Sequence, residues 1–292
     1  MSGQRYDTIS FLSDYGLRDE FVGIVKGVIA DIAPHARVID LTHEIPPFDV
    51  RAGSLALARC ISYVPSGIVL AVVDPGVGTS RRGVAVSVGG GRGVLIGPDN
   101  GILSMGTALA GGADAAVVLN NPRYQLEAPG ATFAGRDIFA PAAAHLCNGT
   151  ALSDLGEPID AHLLLPGVVP LSRTEGDEII AEVTWVDRYG NCQLNVGPDE
   201  VATLGDRLSV VLTSPTGERS TRAASIVRSF ADIGGGVGLV VDSFGMLALC
   251  VDRGSASAEL GVAVGDAVRL STLADTGGVT SNVTLRRSTN AT

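Results

Sequence analysis

Aromatic residues are scarce in this sequence. One Trp, five Tyr and seven Phe make up only 4% of the 292 residues, so there is little ring surface on which single-stranded nucleic-acid bases could stack. Positive charge is also in deficit. Lys and Arg number 21 against 31 Asp and Glu, for a net charge of −10. Such a surface repels phosphate backbones and argues against DNA or RNA partners, whereas a small cationic ligand would be drawn in. Only four cysteines occur, Cys60, Cys147, Cys192 and Cys250, far apart and with no C-x-x-C pair. That pattern argues against a disulfide framework or a structural zinc site. It suits small buried apolar residues in a reducing cytosol, hence a cytoplasmic protein. His43-Glu44 has no second H-x-x-x-H partner, so no metal site is expected and His43 reads as a satisfied loop histidine. No apolar run reaches membrane-spanning length, so no membrane partner is expected. Met1 to Asp7 is polar and lacks the apolar core of a signal peptide.

What the sequence does have is glycine, 38 residues of it, and a 46% apolar content. Together they describe a globular chain with many turns, long enough for one large domain or two ordinary ones. The N-terminal half alternates strands and helices. Thr8–Leu12 reads as a strand, Asp19–Ile32 as a helix, Val38–Leu41 as a strand and Val50–Tyr63 as a helix. Gly67–Val73 is a continuous apolar run, the pattern of a buried strand. A hairpin at 84–96, a strand at 115–119 and a helix ending near Leu146 complete an α/β layered domain over residues 1–165. Residues 166–177 are rich in Pro, Gly and mixed charge, as in a linker. From 178 to 292 short strands and turns dominate, and a small antiparallel, barrel-like β domain is expected.

Candidate chemistry gathers where strands end. Asp74 follows the apolar run at the point where open α/β sheets place ligands, and Pro75-Gly76-Val77-Gly78 turns the chain at once. Arg81, seven residues on, is placed to fold back and pair with Asp74. Asp14 lies in the junction Ser13-Asp14-Tyr15-Gly16, either as a turn or helix cap or as a carboxylate able to accept from both hydroxyls of a ribose. Phe48, after the rigid Pro46-Pro47 pair, is either a core plug or a flat wall for a ligand ring. Gly97-Pro98-Asp99-Asn100-Gly101 is assigned an architectural role. In the second half the polar clusters are Asp187-Arg188-Tyr189-Gly190-Asn191, Ser229 to Asp232 and Asp242 to Gly245. Taken singly, each reads as a hairpin turn.

Taken together, six ordered segments resemble the S-adenosyl-L-methionine (SAM) hydrolases that form adenosine, also called SAM hydroxide adenosyltransferases, relatives of fluorinase and chlorinase. The segments are Phe11–Gly16, Asp40–Val50, Asp74–Arg81, Gly97–Gly101, Gly135–Pro141, and Asp187 with Tyr189-Gly190-Asn191. The resemblance implies an N-terminal α/β domain, a C-terminal β-barrel and a homotrimer with sites at subunit interfaces. It implies SAM as substrate rather than cofactor, and adenosine and L-methionine as products. Asp14 would hold the ribose diol beside Phe48, while Asp187 and Ser243 would fix the methionine amine and carboxylate. Tyr189, Asn191, Phe230 and the backbone from Arg253 to Ser255 would form the adenine pocket.

Asp74 and Arg81 match two members of the group expected to hold the attacking water. The expected third, a His immediately before Gly135, is replaced by Ala134. The reading is therefore SAM hydrolysis by in-line attack at ribose C5′, slowed by the loss of that His. The alternatives are a chloride adenosyltransferase and a non-catalytic SAM or adenosine binder.

Overall fold

The computed structural model describes residues 5–213 and 219–273. The expected domain span to residue 292 therefore ends in a stretch outside the described residues, as do the first four residues of the polar N-terminus. The chain divides into two compact units, Met1–Val169 and Pro170–Thr292, with the break inside the segment read as a linker.

The first unit is built on one sheet. Its strands are β1 (Thr8–Ser13), β2 (Arg37–Thr42), β3 (Gly67–Val72), β4 (Gly83–Val88), β5 (Gly93–Pro98), β6 (Ala113–Val118) and β7 (Pro158–Ile159), in the order β2-β1-β3-β5-β4-β6-β7. β2, β1, β3 and β5 run parallel, and β4, β6 and β7 pair antiparallel. The helices are α1 (Phe21–Ile32), α2 (Val50–Cys60), α3 (Ser104–Leu109) and α4 (Ala140–Cys147). β3 shows why its sequence is apolar throughout. Ile68, Leu70 and Val72 face the core shared with Val25 and Ile29 of α1 and Leu146 of α4. Val69, Ala71 and Val73 face the opposite core with Leu57 of α2 and Leu103 beside α3. A strand covered on both faces has no polar side to display.

The order of the first three strands matters most for function. The chain moves from β1 outward to β2, then returns to place β3 on the other side of β1. Connections leaving the carboxyl ends of β1 and β3 thus diverge, the kind of switch point at which α/β sheets bind ligands. Asp14 follows β1 and Asp74 follows β3, and the last residues of the two strands are paired, Ser13 with Val72.

The second unit is a closed barrel. Its strands are β8 (Arg173–Glu175), β9 (Glu178–Val186), β10 (Cys192–Leu194), β11 (Arg207–Thr213), β12 (Arg219–Val227), β13 (Val237–Val241), β14 (Leu247–Cys250) and β15 (Ala267–Thr272). β10 pairs with both β14 and β9, which closes seven strands into a ring, and β8 adds to the outside of β9. The interior is apolar, with Val183, Leu194, Leu208, Val210, Leu239, Leu249 and Val268 fully buried.

Three expectations need correction. The barrel is not wholly antiparallel, because β12 and β13 run parallel. β12 itself carries no strand signal in its polar sequence RSTRAASIV; its register on β11 and β13 makes it a strand. Cys60 is only half-buried, whereas Cys147, Cys192 and Cys250 are buried as expected; all four are free thiols. Among the described residues no helix is long and apolar enough to cross a membrane.

Gly97 in β5 carries the closest backbone approach in the central sheet. A Cβ there would lie 2.2 Å from the carbonyl oxygen of Ala71 in β3. Gly97→Ala should therefore force β5 away from β3 and lower stability by about 1–3 kcal/mol. A urea unfolding midpoint unchanged from that of the parent chain would contradict this packing.

Candidate active site

The first unit builds its part of the site from strand ends. Asp74 and Arg81 meet as the turn between them folds back, with Arg81 Nη2 donating to Asp74 Oδ2 at 2.5 Å. Both side chains are largely buried, 6% exposed for Asp74 and 11% for Arg81. The guanidinium lies over the Phe139 ring, 5.4 Å from its centre. The Val73 carbonyl just before Asp74 accepts from Asn100 Nδ2 at 2.8 Å, so the Gly97–Gly101 turn anchors the end of this strand.

Two atoms of this ion pair have no partner. Asp74 Oδ1 and Arg81 Nε are buried without a hydrogen bond. Buried polar groups are nearly always paired, and an orphan acceptor beside an orphan donor calls for a polar guest. A water molecule fits both demands, donating to the carboxylate and accepting from the guanidinium. Burial raises the Asp74 pKa above the ordinary carboxylate value. The Arg81 charge and hydrogen bond, and the Gly76 backbone N–H, pull it back, and the negative charge of Asp14 pushes it up again. A carboxylate raised in this way is a better proton acceptor than a free one.

Asp14 is not a helix cap. Glu20 holds the N-cap position of α1, and Asp14 Oδ2 instead accepts from the Phe48 backbone N–H at 2.9 Å. Phe48 adopts a left-handed backbone, φ +68°, that a non-glycine residue rarely takes. Its ring is 72% exposed, so Phe48 is not a core plug. Ala134 is buried immediately before the π-type turn Gly135–Phe139, an irregularity frequent at functional sites. Ala134 and Arg81 line one cavity of about 600 Å³.

The residue that sequence reasoning missed here is Tyr15. Its hydroxyl packs so closely on Gly135 that a Cβ there would lie 2.2 Å away. Burial raises its pKa above the ordinary tyrosine value, and the charges of Asp14 and Asp74 add to that. The phenol therefore keeps its proton. Its only sequence cue was adjacency to Asp14.

The second unit gathers its own set. Asp187, Tyr189, Asn191, Phe230, Ser243, Arg253 and Ser255 all line one concavity of about 920 Å³. Asp187 shapes its hairpin tip: Oδ1 accepts from the N–H groups of Tyr189 and Asn191, and Oδ2 from Asn191 Nδ2. Those three bonds leave Oδ2 room for a further donor, such as an amine. The Tyr189 ring is 77% exposed and Phe230 51%. Arg253 has φ +52°, a second strained residue at a site wall. Ser255 caps the short helix Ala256–Leu260 by accepting from Ala258 N–H.

Asp242 repeats the Asp187 motif. Its Oδ1 accepts from the Phe244 and Met246 N–H groups and its Oδ2 from Gln193. With Trp185 and Phe244 it lines an adjoining cavity of about 280 Å³ that also includes Asp187 and Ser243. Sequence reading left Asp242 as a turn and did not connect Trp185 to it, because only barrel closure makes them neighbours.

This geometry agrees with what the chain resembles. Residues 9–156 match the SAM hydroxide adenosyltransferase N-terminal domain, and residues 181–269 match the C-terminal domain. An (R)-S-adenosyl-L-methionine hydrolase of Salinispora tropica is 46% identical over 263 residues, covering 90% of this chain and 97% of that protein. One from Thermus thermophilus is 40% identical over 274 residues, covering 90% and 98%. The crystal structure of an uncharacterized conserved protein from Thermotoga maritima superposes with a TM-score of 0.80 at 35% identity, covering 90% of this chain and 99% of that one. With both domains matched in order, and with relatives this close along nearly their whole length, the chain belongs to the SAM hydroxide adenosyltransferase family.

Proposed function

We propose that this protein hydrolyses S-adenosyl-L-methionine to adenosine and L-methionine. The observation that carries the reading is the buried Asp74–Arg81 pair beyond the carboxyl end of β3, with one acceptor and one donor unsatisfied. The family membership of the chain, and the names of its close relatives, support the same substrate.

The chemistry asks little of the leaving group. The sulfonium departs from C5′ as neutral thioether, so no acid need protonate it. The site must hold a water molecule in line, keep it oriented and take its proton. Asp74 Oδ1 accepts a hydrogen bond from that water and then its proton. Arg81 Nε holds the oxygen while a lone pair attacks C5′. The C–O bond forms, the C–S bond breaks and its electron pair returns to sulfur as methionine. Asp14 grips the ribose diol beside the Phe48 ring, and its charge, with that of Asp74, attracts the cationic substrate. In the second unit Asp187 and Ser243 hold the amino-acid end, while Tyr189, Asn191, Phe230 and the Arg253–Ser255 backbone hold adenine. No metal or organic cofactor takes part in this proposal. A homotrimer does, and the exposed rings of Phe48, Tyr189 and Phe230 are the surface that assembly and ligand would cover.

Ala134 makes the proposed enzyme slow. A positioned base or orienting group contributes ~10²–10⁴ in rate, roughly 3–6 kcal/mol of barrier, and a methyl group supplies none of it. Chloride transfer is disfavoured because the Asp74 carboxylate would repel a halide at the attacking position.

Incubation with SAM should release adenosine and methionine in equal amounts. Unchanged SAM, or 5′-chloro-5′-deoxyadenosine in chloride buffer, would overturn the reading. Asp74→Asn should lower single-turnover adenosine release by ~10²-fold or more while SAM still binds. Ala134→His should raise the single-turnover rate by ~10²-fold; equal rates would refute the slowing assigned to Ala134. The active form of Asp74 is the unprotonated one, and its folded pKa is raised, so activity should fall with decreasing pH through a limb above the ordinary carboxylate value of 3.8. A rate flat down to that value would exclude Asp74 as the base.

A further inference from the structure

Behind the Asp14–Phe48 contact runs a polar chain with the composition of a Ser-His-Asp triad. Ser13 Oγ lies 2.8 Å from His43 Nδ1, and His43 Nε2 lies 3.1 Å from Asp40 Oδ1. Lys26 Nζ closes the outer end on Asp40 Oδ2 at 2.6 Å. Ser13 is wholly buried and the His43 side chain is 2% exposed. A hydroxyl with no access cannot attack a substrate carbonyl, so the triad is not a nucleophilic one.

The proton positions follow from the partners. Partial burial opposes ionisation of Asp40, but hydrogen bonds from Lys26 and His43 outweigh it and hold its pKa below the ordinary value. An ionised carboxylate only accepts, so His43 Nε2 carries the hydrogen. Nδ1 faces the Ser13 hydroxyl, whose oxygen also accepts from the Tyr15 backbone N–H at 3.3 Å. Both ring nitrogens are thus engaged by fixed partners, which sets the imidazole's orientation.

This ring joins the two loops that build the ribose cradle. Its side chain holds Ser13, next to Asp14, and its carbonyl accepts from Gly16 N–H at 2.7 Å. Its edge packs on the Phe11 ring, with centres 4.6 Å apart. Five residues further on, Phe48 donates back to Asp14. The segment from Ser13 to Gly16 is therefore tied to the segment from His43 to Phe48 at three points, two of them made by His43.

We propose that His43 is a positioning residue for the nucleoside half of the substrate, locking the loop after β1 to the loop after β2 so that Asp14 and Phe48 form one rigid cradle. This rests on the reading of Asp14 as the ribose ligand. The ring touches no reacting atom, so its loss should appear in binding more than in the chemical step.

The test uses the full chain and three ligands: SAM, adenosine and L-methionine. Ser13→Ala removes the inner link with little change in volume. His43→Phe removes both side-chain bonds and keeps an aromatic ring against Phe11. Each should raise the adenosine Kd and the SAM KM by about tenfold, with a smaller change in kcat and unchanged L-methionine affinity. His43→Asn, which can still bond Ser13, should recover much of the loss. In the Asp14→Ala background Ser13→Ala should have no further effect on adenosine affinity, because the two act through one group. Adenosine affinity within twofold of the parent in Ser13→Ala would overturn the proposal, whether or not His43→Phe folds. An equal fall in adenosine and methionine affinities would also overturn it, since that marks general loosening. If the unaltered chain binds neither SAM nor adenosine, the functional reading falls first and this inference with it.

Discussion

The structure depends on a buried ion pair that is deliberately incomplete. Asp74 and Arg81 satisfy each other through one oxygen and one nitrogen, leaving Asp74 Oδ1 and Arg81 Nε without partners. Removing two charges from water is costly, and a pair with unfilled positions recovers less of that cost than a fully bonded one. Such a site is stable only because the surrounding fold over-determines it. β3 is buried on both faces, Asn100 anchors the carbonyl before Asp74, and the Phe139 ring supports the guanidinium. The unfilled positions suit a small polar guest with one donor and one acceptor, and burial raises the Asp74 pKa above the ordinary carboxylate value.

Each unit contributes a different kind of recognition. The α/β unit concentrates charge: Asp14, Asp74 and Arg81 gather around the outlet between β1 and β3. The barrel concentrates turns and rings: two Asx-type hairpin tips, at Asp187 and Asp242, present Tyr189 and Phe244 beside Phe230. In a chain with only 4% aromatic residues, the exposure of Phe48, Tyr189, Phe230 and Phe244 is itself informative. Tyr189, Phe230 and Phe244 line the two adjoining concavities of the barrel unit, and exposed apolar surface in such places is where ligands or partners dock. Arg253, with a left-handed backbone, lines the larger of these concavities, and Phe48, also left-handed, donates its N–H to Asp14; such local strain clusters at functional sites.

Much of this was legible in the sequence, for reasons specific to each element. β3 announced itself as an unbroken apolar run, and Asp74 with Arg81 could be paired because a Pro-Gly turn separates them by few residues. The seven residues assigned to the barrel site through the family resemblance line one concavity; their local signals alone read only as hairpin turns. What the sequence hid was long-range. β12 is a strand by pairing and not by composition. Tyr15 became a candidate only when α4's preceding turn brought Gly135 against its hydroxyl. Trp185 meets Asp242 only once the barrel closes. His43 was recognised as satisfied, but that its partners tie together the segments after β1 and β2 could not be read from residues 13, 40 and 43 until those strands were placed side by side. The preference of the Asp14 carboxylate for the Phe48 N–H over the start of α1 was equally invisible, because a turn Asp before a helix looks the same in either role.

In the proposed mechanism the orphaned atoms of the Asp74–Arg81 pair hold the attacking water. A crystal structure of the protein with adenosine and L-methionine bound tests it most directly. An ordered oxygen is expected there, either solvent or the newly formed 5′-hydroxyl, hydrogen-bonded to both Asp74 Oδ1 and Arg81 Nε and in line with C5′ and the methionine sulfur. Adenosine seated with C5′ out of reach of that pair, or the pair closed on itself with both atoms satisfied by protein, would contradict it.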